Sequence, residues 1–164
     1  MATSVESLYE SDYFAWAEAQ ARALRELEEA RWNGPLDLEH LAEEVEDLAR
    51  AERNAVLSQA ERLIAHFLKL EYSASAEPRR QWIVSVDDAR RELAKHLTPS
   101  LRRELDAVLP AVYQAERKRT ARKLALYGEA DAAAALPPAC PYGTNELLDE
   151  DWFPSNRHGL TDFM

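Results

Sequence analysis

The sequence is poor in the features that identify cross-linked, membrane-bound or metal-dependent proteins. Of its 164 residues only Cys140 is a cysteine, which excludes an intramolecular disulfide framework and a cysteine-based zinc site. No apolar run approaches the roughly 18 residues of a membrane-spanning helix. The first residues have neither the basic nor the apolar part of a signal peptide. We therefore expect a cytoplasmic protein of bacterial type, with no membrane partner and no cofactor.

Catalytic signatures are lacking as well. The sequence contains no P-loop, no Gly-x-Gly-x-x-Gly, no Gly-x-Ser-x-Gly and no His-Glu-x-x-His motif. The Glu-x-x-His pair of di-iron bundles has one near match, Asp37-x-x-His40. Helical spacing also permits a mononuclear site of His40 with Glu43 or Glu44. We interpret this acidic stretch as a solvated helix face, so no metal site is predicted and the catalytic residues are unknown.

The charge is acidic overall and segregated along the chain. The formal net charge of −10 argues against general binding of nucleic acids. Residues 1–76 carry 7 basic and 16 acidic groups, residues 77–127 carry 12 and 7, and residues 128–164 carry 1 and 7. The basic middle has a candidate docking cluster for an acidic protein partner, formed by Arg117, Lys118, Arg119, Arg122 and Lys123. Packing between oppositely charged helices of one chain is the alternative explanation.

Apolar residues that recur at steps of three and four predict an all-α protein. The four main helices are expected near residues 12–31, 37–72, 80–97 and 100–127. Ser11 is the expected N-cap of the first helix, and the Asn33-Gly34-Pro35 segment should end it. Pro110 lies inside the fourth pattern, so we expect a kink or a break there. Together these helices should form a bundle over residues 1–127.

The last part of the chain has the character of a tail. Thr144 is positioned to cap a short helix there. Beyond it, Trp152 and Phe153 are adjacent aromatic residues in an acidic surrounding. Burial of each would stabilise the fold by roughly 1.5–3 kcal/mol. We expect residues 128–164 to be a C-terminal extension docked on the bundle, within the same single domain.

Three polar residues interrupt the apolar pattern of the second predicted helix. Glu52, Gln59 and His66 are seven residues apart, close to two helical turns, so they form one line beside the apolar stripe. They should point inward, and because an unpaired buried carboxylate is costly, Glu52 needs a basic partner. The candidates for that partner are Arg90 on the third helix and Arg119 or Lys123 on the fourth.

This polar line supports two hypotheses. A site formed by Glu52, Gln59, His66 and Arg90 would make the protein a small-molecule-binding or metal-binding enzyme, because glutamate and histidine ligate metals and transfer protons. The alternative is a satisfied polar network that sets the register of the helices, and we favour it. Whether the chain is an enzyme stays open on these grounds.

Several segments resemble a known family in their order and spacing. They are residues 9–16, 38–46, 63–70, Trp82, Arg90, 140–142 and 147–154. Over residues 9–154 the chain resembles a bacterial family catalogued as domain of unknown function 29. The resemblance implies a compact helical bundle without an assigned activity, and no catalytic residue is carried over from it. The family tends to have asparagine where His40 stands, which disfavours His40 as a ligand.

These observations favour a helical module that acts through a protein–protein interface. The lack of catalytic motifs and the segregated charge support this interpretation. Helical units with apolar stripes often self-associate, so the expected partner is another protein or a second copy in a homodimer. The alternative remains an enzyme with its site inside the bundle, around Glu52 and His66.

Overall fold

The computed structural model describes residues 5–161, with side chains from residue 7 onward. This part of the chain consists of α-helices and connecting segments, and it contains no strand. The helices are α1 (Val5–Ser11), α2 (Tyr13–Glu29), α3 (Leu38–Tyr72), α4 (Arg79–His96), α5 (Pro99–Leu126), α6 (Ala130–Ala135) and α7 (Thr144–Leu148). The predicted all-α class is therefore confirmed. None of the described helices has the length and apolar composition needed to cross a bilayer.

The chain divides into two compact units. Unit 1 is Met1–Val56 with His96–Arg103, and unit 2 is Leu57–Lys95 with Glu104–Met164. Both α3 and α5 begin in unit 1 and end in unit 2. Each unit has buried apolar residues of its own.

The start of the first long helix in unit 1 differs from the prediction. Ser11 is the last residue of α1, where its hydroxyl donates to the Ser7 carbonyl at 2.7 Å. Asp12 caps α2 instead, because its carboxylate accepts from the Ala15 backbone N–H at 3.0 Å. The same carboxylate accepts from the N–H and hydroxyl of Ser100 at 2.8 and 2.7 Å. Burial alone would raise the pKa of Asp12, but these hydrogen bonds bring it below its ordinary value.

Two other features of the predicted helices are also corrected. The helix α2 ends at Glu29, because Arg31 adopts a left-handed conformation with φ of 56° that a right-handed helix cannot continue. The helix α5 continues through Pro110, so the expected break is absent. Proline removes one N–H from the hydrogen-bond ladder. Leu109 and Tyr113 are buried on either side of it, and this packing keeps the helix continuous.

Two leucines of α3 within unit 1 are exposed. Leu41 is 39% and Leu48 is 44% exposed. The buried positions of α3 in this unit are Leu38, Ala42, Ala49 and Val56. Small alanine side chains let a neighbouring element approach the helix closely, so the adjacent leucines are left at the edge. An exposed pair of leucines, seven residues apart, is the result.

The C-terminal tail packs within unit 2 through aromatic side chains. The ring of Phe67 on α3 lies 5.3 Å from the rings of both Tyr142 and Trp152, in edge-to-face geometry. The Tyr142 hydroxyl donates to the Glu71 carboxylate at 2.7 Å. Burial, followed by this hydrogen bond, raises the pKa of Tyr142 far above its ordinary value. Trp152 therefore packs against α3, and Phe153 lies against the guanidinium of Arg90, 4.9 Å from ring centre to Cζ.

Candidate functional site

An open groove in unit 2 has a volume of about 990 Å³. Its walls come from the end of α3, the start of α4, the end of α5 and the segments that connect them. The lining residues with chemical interest are Lys69, Trp82, Lys123, Leu126 and Tyr127. We call this feature the Trp82 groove. Its size is at the upper end of the range for ligand sites.

The apolar side of the groove is exposed to solvent. The side chains of Leu126 and Tyr127, at the end of α5, are 81% and 84% exposed. Leu124, two residues earlier, is only 3% exposed, so the helix stops burying its apolar residues at this point. Large apolar side chains that are adjacent to each other and to a groove are typical of interaction surfaces.

Two lysines supply positive charge to the groove. The ammonium of Lys69 lies 5.3 Å from the centre of the Trp82 ring, a distance at which the cation attracts the face of the ring. Burial, and next the charge of Lys123, lowers the pKa of Lys69. Among the described residues, no carboxylate forms an ion pair with either lysine.

The acidic residues of the groove are Glu77 and Glu129. The carboxylate of Glu129 accepts from the Ser73 hydroxyl at 2.8 and 2.9 Å and from the Ala74 N–H at 2.8 Å. These bonds fold the segment after α3 and satisfy the carboxylate within the chain. The positive charge of the lysines is therefore not neutralised by direct contact with the acids that share the groove.

A row of cations adjoins the groove, and we call it the basic ridge. Its members are Arg62 and Lys69 on α3 and Arg119, Arg122 and Lys123 on α5. Arg62 and Lys69 are seven residues apart on α3, and Arg122 and Lys123 follow Arg119 by three and four residues on α5, so each set lies along one side of its helix. The two helices meet here, because Arg119 Nη1 lies 3.5 Å from the carboxylate of Glu61 on α3.

The predicted docking cluster has divided roles in the structure. Arg117 donates to the carbonyl of Leu136 at 3.1 and 3.3 Å, so it holds the chain after α6. Arg119 pairs with Glu116 at 3.0 Å in addition to Glu61. The remaining three cations are exposed and have no ion pair among the described residues: Lys118, Arg122 and Lys123. Their role in docking stays a prediction.

The polar residues predicted inside the bundle have separate partners. Glu52 accepts from His96 Nδ1 at 2.9 Å within unit 1, in place of the expected Arg90, Arg119 or Lys123. The side chain of Glu52 is 27% exposed, so the pair that it forms with His96 lies at the edge of the core. Helical spacing predicts which side of a helix a residue occupies, but it does not predict which other helix faces that side. The hypothesis of a functional site at these residues stays a prediction.

Gln59 and His66 lie on α3 in unit 2. The Gln59 Oε1 atom is buried, and no hydrogen-bond donor reaches it in the described part of the chain. The His66 Nδ1 atom lies 2.7 Å from the Arg62 carbonyl and therefore donates its proton to it. Burial lowers the pKa of His66 to about 4, and the charges of Lys69, Arg62 and Lys123 act in the same direction. The imidazole is neutral at pH 7.

Arg90 connects α4 to the tail and does not pair with Glu52. It is 3% exposed, and its guanidinium donates to four backbone carbonyls at 2.7–3.5 Å. The acceptors are Glu146, Leu147, Glu150 and Trp152. Burial lowers the pKa of Arg90. The observed contacts of Arg90 are those of a structural residue.

We expect His66 to make the protein sensitive to acid. Its folded-state pKa of about 4 is below the ordinary value of 6.5. The contribution of neutral His66 to the free energy of unfolding is therefore fully present above pH 6.5. It is lost as the pH falls toward 4, because the unfolded chain binds the proton more readily. Between these pH values the free energy of unfolding of the wild type should fall by roughly 1–2 kcal/mol more than that of His66→Gln, after allowance for solvent screening.

The measurement is chemical unfolding of both proteins at pH 4 to 7.5. His40→Gln is the control, because the Asp37 carboxylate raises the pKa of the exposed His40, the opposite direction. Parallel stability curves for the wild type and His66→Gln would contradict the expectation.

Sequence reasoning missed the groove. Neither Lys69 nor Trp82 is among the residues that the sequence predicts to form a site or a docking surface. The adjacent apolar residues Leu126 and Tyr127, at a helix end and next to a glycine, were the available signal.

No group of three or more potential metal ligands occurs among the described residues. Burial raises the pKa of the Cys140 thiol, the direction that makes a cysteine less nucleophilic.

Comparison with known proteins gives the family. The sequence profile of the family described as "Domain of unknown function DUF29" matches residues 8–153. The chain belongs to the DUF29 family. No curated protein matches the sequence. The resemblance seen in the sequence is therefore confirmed, and no activity is assigned to DUF29 by its description.

The DUF29 fold is also seen in a similar solved structure. A crystallised α-helical protein of unknown function from Rhodospirillum rubrum is 29% identical to this chain, with a TM-score of 0.76. The similarity covers 87% of this chain and 90% of that one. Because the DUF29 match runs through residue 153, the whole Trp82 groove and the basic ridge lie within the matched region.

Proposed function

We propose that this DUF29 protein is a helical interaction module that binds an acidic segment of a partner protein in the Trp82 groove. The observation that carries the proposal is the exposure of Leu126 and Tyr127, 81% and 84%, beside two lysines that form no ion pair among the described residues. An apolar surface gains free energy when it is covered, and unpaired cations gain it when they meet anions. One ligand that does both is a peptide with apolar and acidic side chains.

The groove suits an amphipathic segment. Helices bind in grooves through apolar side chains on one face, spaced by three, four or seven residues. Trp82, Leu126 and Tyr127 would receive such side chains, and aromatic residues are enriched among those that dominate binding energy. The basic ridge would meet carboxylates on the flank of the same segment, which favours acidic partners over basic ones.

A displayed library of random 16-residue peptides provides the test, with the intact protein as the target. We expect enriched peptides to carry several Asp or Glu residues with apolar residues one or two helical turns apart. The double variant Lys69→Glu/Lys123→Glu should bind them at least tenfold more weakly (about 1.4 kcal/mol). Leu126→Ser/Tyr127→Ser should also weaken binding, since it removes the apolar side of the groove.

The matched control is Arg91→Glu/Lys95→Glu. It makes the same change of charge on exposed residues of α4 that do not line the groove. Enrichment of peptides without acidic residues would contradict the proposal, and so would equal binding to the charge-reversed and control variants. Thermal melts of each variant establish that it is folded.

The alternative of an enzyme around Glu52 and His66 stays a hypothesis. The orphaned oxygen of Gln59 and the acceptor Nε2 of neutral His66 are the observations in its favour. The pairing of Glu52 with His96 removes the acid from the proposed constellation, so we rank the interaction module first.

A further inference from the structure

The first half of α3 has the chemistry that the Trp82 groove requires. Residues 37–48 carry six carboxylates and no lysine or arginine. Leu41 and Leu48 in this segment are 39% and 44% exposed. They are seven residues apart in a continuous helix, so both lie on the same face at a spacing of about 10 Å. The segment is an exposed acidic helix with two apolar side chains on its surface.

Half of the six carboxylates in this segment have no ion pair in the described part of the chain. Within unit 1, Glu46 accepts from Arg25 at 3.1 and 3.2 Å, and Asp37 accepts from His40 at 2.6 Å. Asp47 pairs with Arg50. Three carboxylates have no ion pair among the described residues: Glu39, Glu43 and Glu44.

The basic ridge beside the Trp82 groove has the charge opposite to that of this acidic segment. The basic ridge contributes five cations, and four of these form no ion pair among the described residues: Arg62, Lys69, Arg122 and Lys123. The apolar residues of the two surfaces match as well, since Leu41 and Leu48 correspond to the exposed Leu126 and Tyr127 beside Trp82. Unpaired acids and unpaired bases, each beside exposed apolar side chains, are complementary surfaces.

We propose that the partner of the Trp82 groove is residues 37–48 of a second copy of this chain. The leucines of this segment cover the apolar side of the groove, and its free glutamates face the basic ridge. In a two-fold dimer each copy offers one groove and one acidic segment, so the contact forms twice. This inference rests on the proposed function, because it names the occupant of the same groove.

Sedimentation velocity of the full-length protein, across protein concentrations and at low and high salt, tests the proposal. We expect a reversible dimer that weakens as the salt concentration rises, since salt screens the charges. Lys69→Glu/Lys123→Glu and Glu43→Lys/Glu44→Lys should each raise the dimer dissociation constant roughly tenfold or more. The Arg91→Glu/Lys95→Glu variant should dimerise like the wild type.

Mixing the two charge-reversed variants provides the decisive readout. A mixed dimer contains one copy of each variant. One of its two contacts joins the unaltered groove of one copy to the unaltered acidic segment of the other. The other contact joins the groove that now carries glutamates to the segment that now carries lysines, and these charges again attract. The mixed sample should therefore recover the association that each variant lacks alone, and a misfolded variant cannot do this. If either variant fails to fold, Leu41→Ser/Leu48→Ser, which replaces side chains that are 39% and 44% exposed, should weaken the wild-type dimer to a similar degree.

A monomeric protein at all concentrations would overturn the proposal. So would a dimer that neither charge reversal weakens, or one whose two reversed variants do not associate when mixed. The proposed function has a separate readout in the displayed peptides. Acidic peptides that bind the groove of a monomeric protein would support the interaction module and reject the second copy as its partner.

Discussion

Replacement of Arg90 by alanine is expected to lower the free energy of unfolding by about 3–5 kcal/mol. Arg90 is buried, and it donates to four carbonyls in or just after α7. The last carbonyls of a helix have no partner within the helix, so the guanidinium satisfies acceptors that would otherwise be orphaned. Alanine would leave those carbonyls unpaired and would open a cavity beside Phe67 and Phe153, whose rings the guanidinium contacts.

Denaturant unfolding followed by circular dichroism measures this effect. Arg90→Lys should be intermediate, because an ammonium keeps the charge but cannot reproduce the planar fork that reaches several carbonyls. Arg91→Ala is the neighbouring control, since its side chain is 70% exposed and pairs only loosely with Asp88 at 3.6 Å. It should change stability by less than about 1 kcal/mol. A similar effect of Arg90→Ala and Arg91→Ala would refute the structural role.

Removal of the tail after Leu136 is expected to abolish cooperative folding of unit 2. The truncation deletes Tyr142, Leu147 and Trp152, and burial of each stabilises the fold by roughly 1.5–3 kcal/mol. The total is comparable to the entire stability of an ordinary domain, about 5–15 kcal/mol. It also leaves Arg90 buried without its acceptors, which adds an uncompensated charge.

Thermal melts of the truncated and full-length proteins test this expectation. A chain that ends after Gly159 retains all of the tail anchors and serves as the control, with a melting temperature close to that of the wild type. An unchanged melting temperature after truncation at Leu136 would mean that the tail contributes nothing. The same experiment tests whether residues 1–127 and 128–164 form one domain, which stays a prediction.

Most helix boundaries followed from local pattern. The helices predicted at 37–72, 80–97 and 100–127 correspond to α3, α4 and α5 within one residue at each end. Periodicity and cap residues act over a few positions, so they can be read from the sequence. The choice between Ser11 and Asp12 as cap was not local, because Asp12 also binds Ser100, 88 residues later in the chain.

The sequence by itself determined the all-α class and the family resemblance, because these depend on composition and on the spacing of residues along the chain. Only the tertiary structure decided that Glu52 pairs with His96 and that Leu41 and Leu48 are exposed. Helical spacing predicts which residues share a face, whereas the neighbour of that face depends on the rotation of each helix and on how closely the helices approach. The Trp82 groove is another result of this kind, since Lys69, Trp82 and Lys123 belong to three different helices.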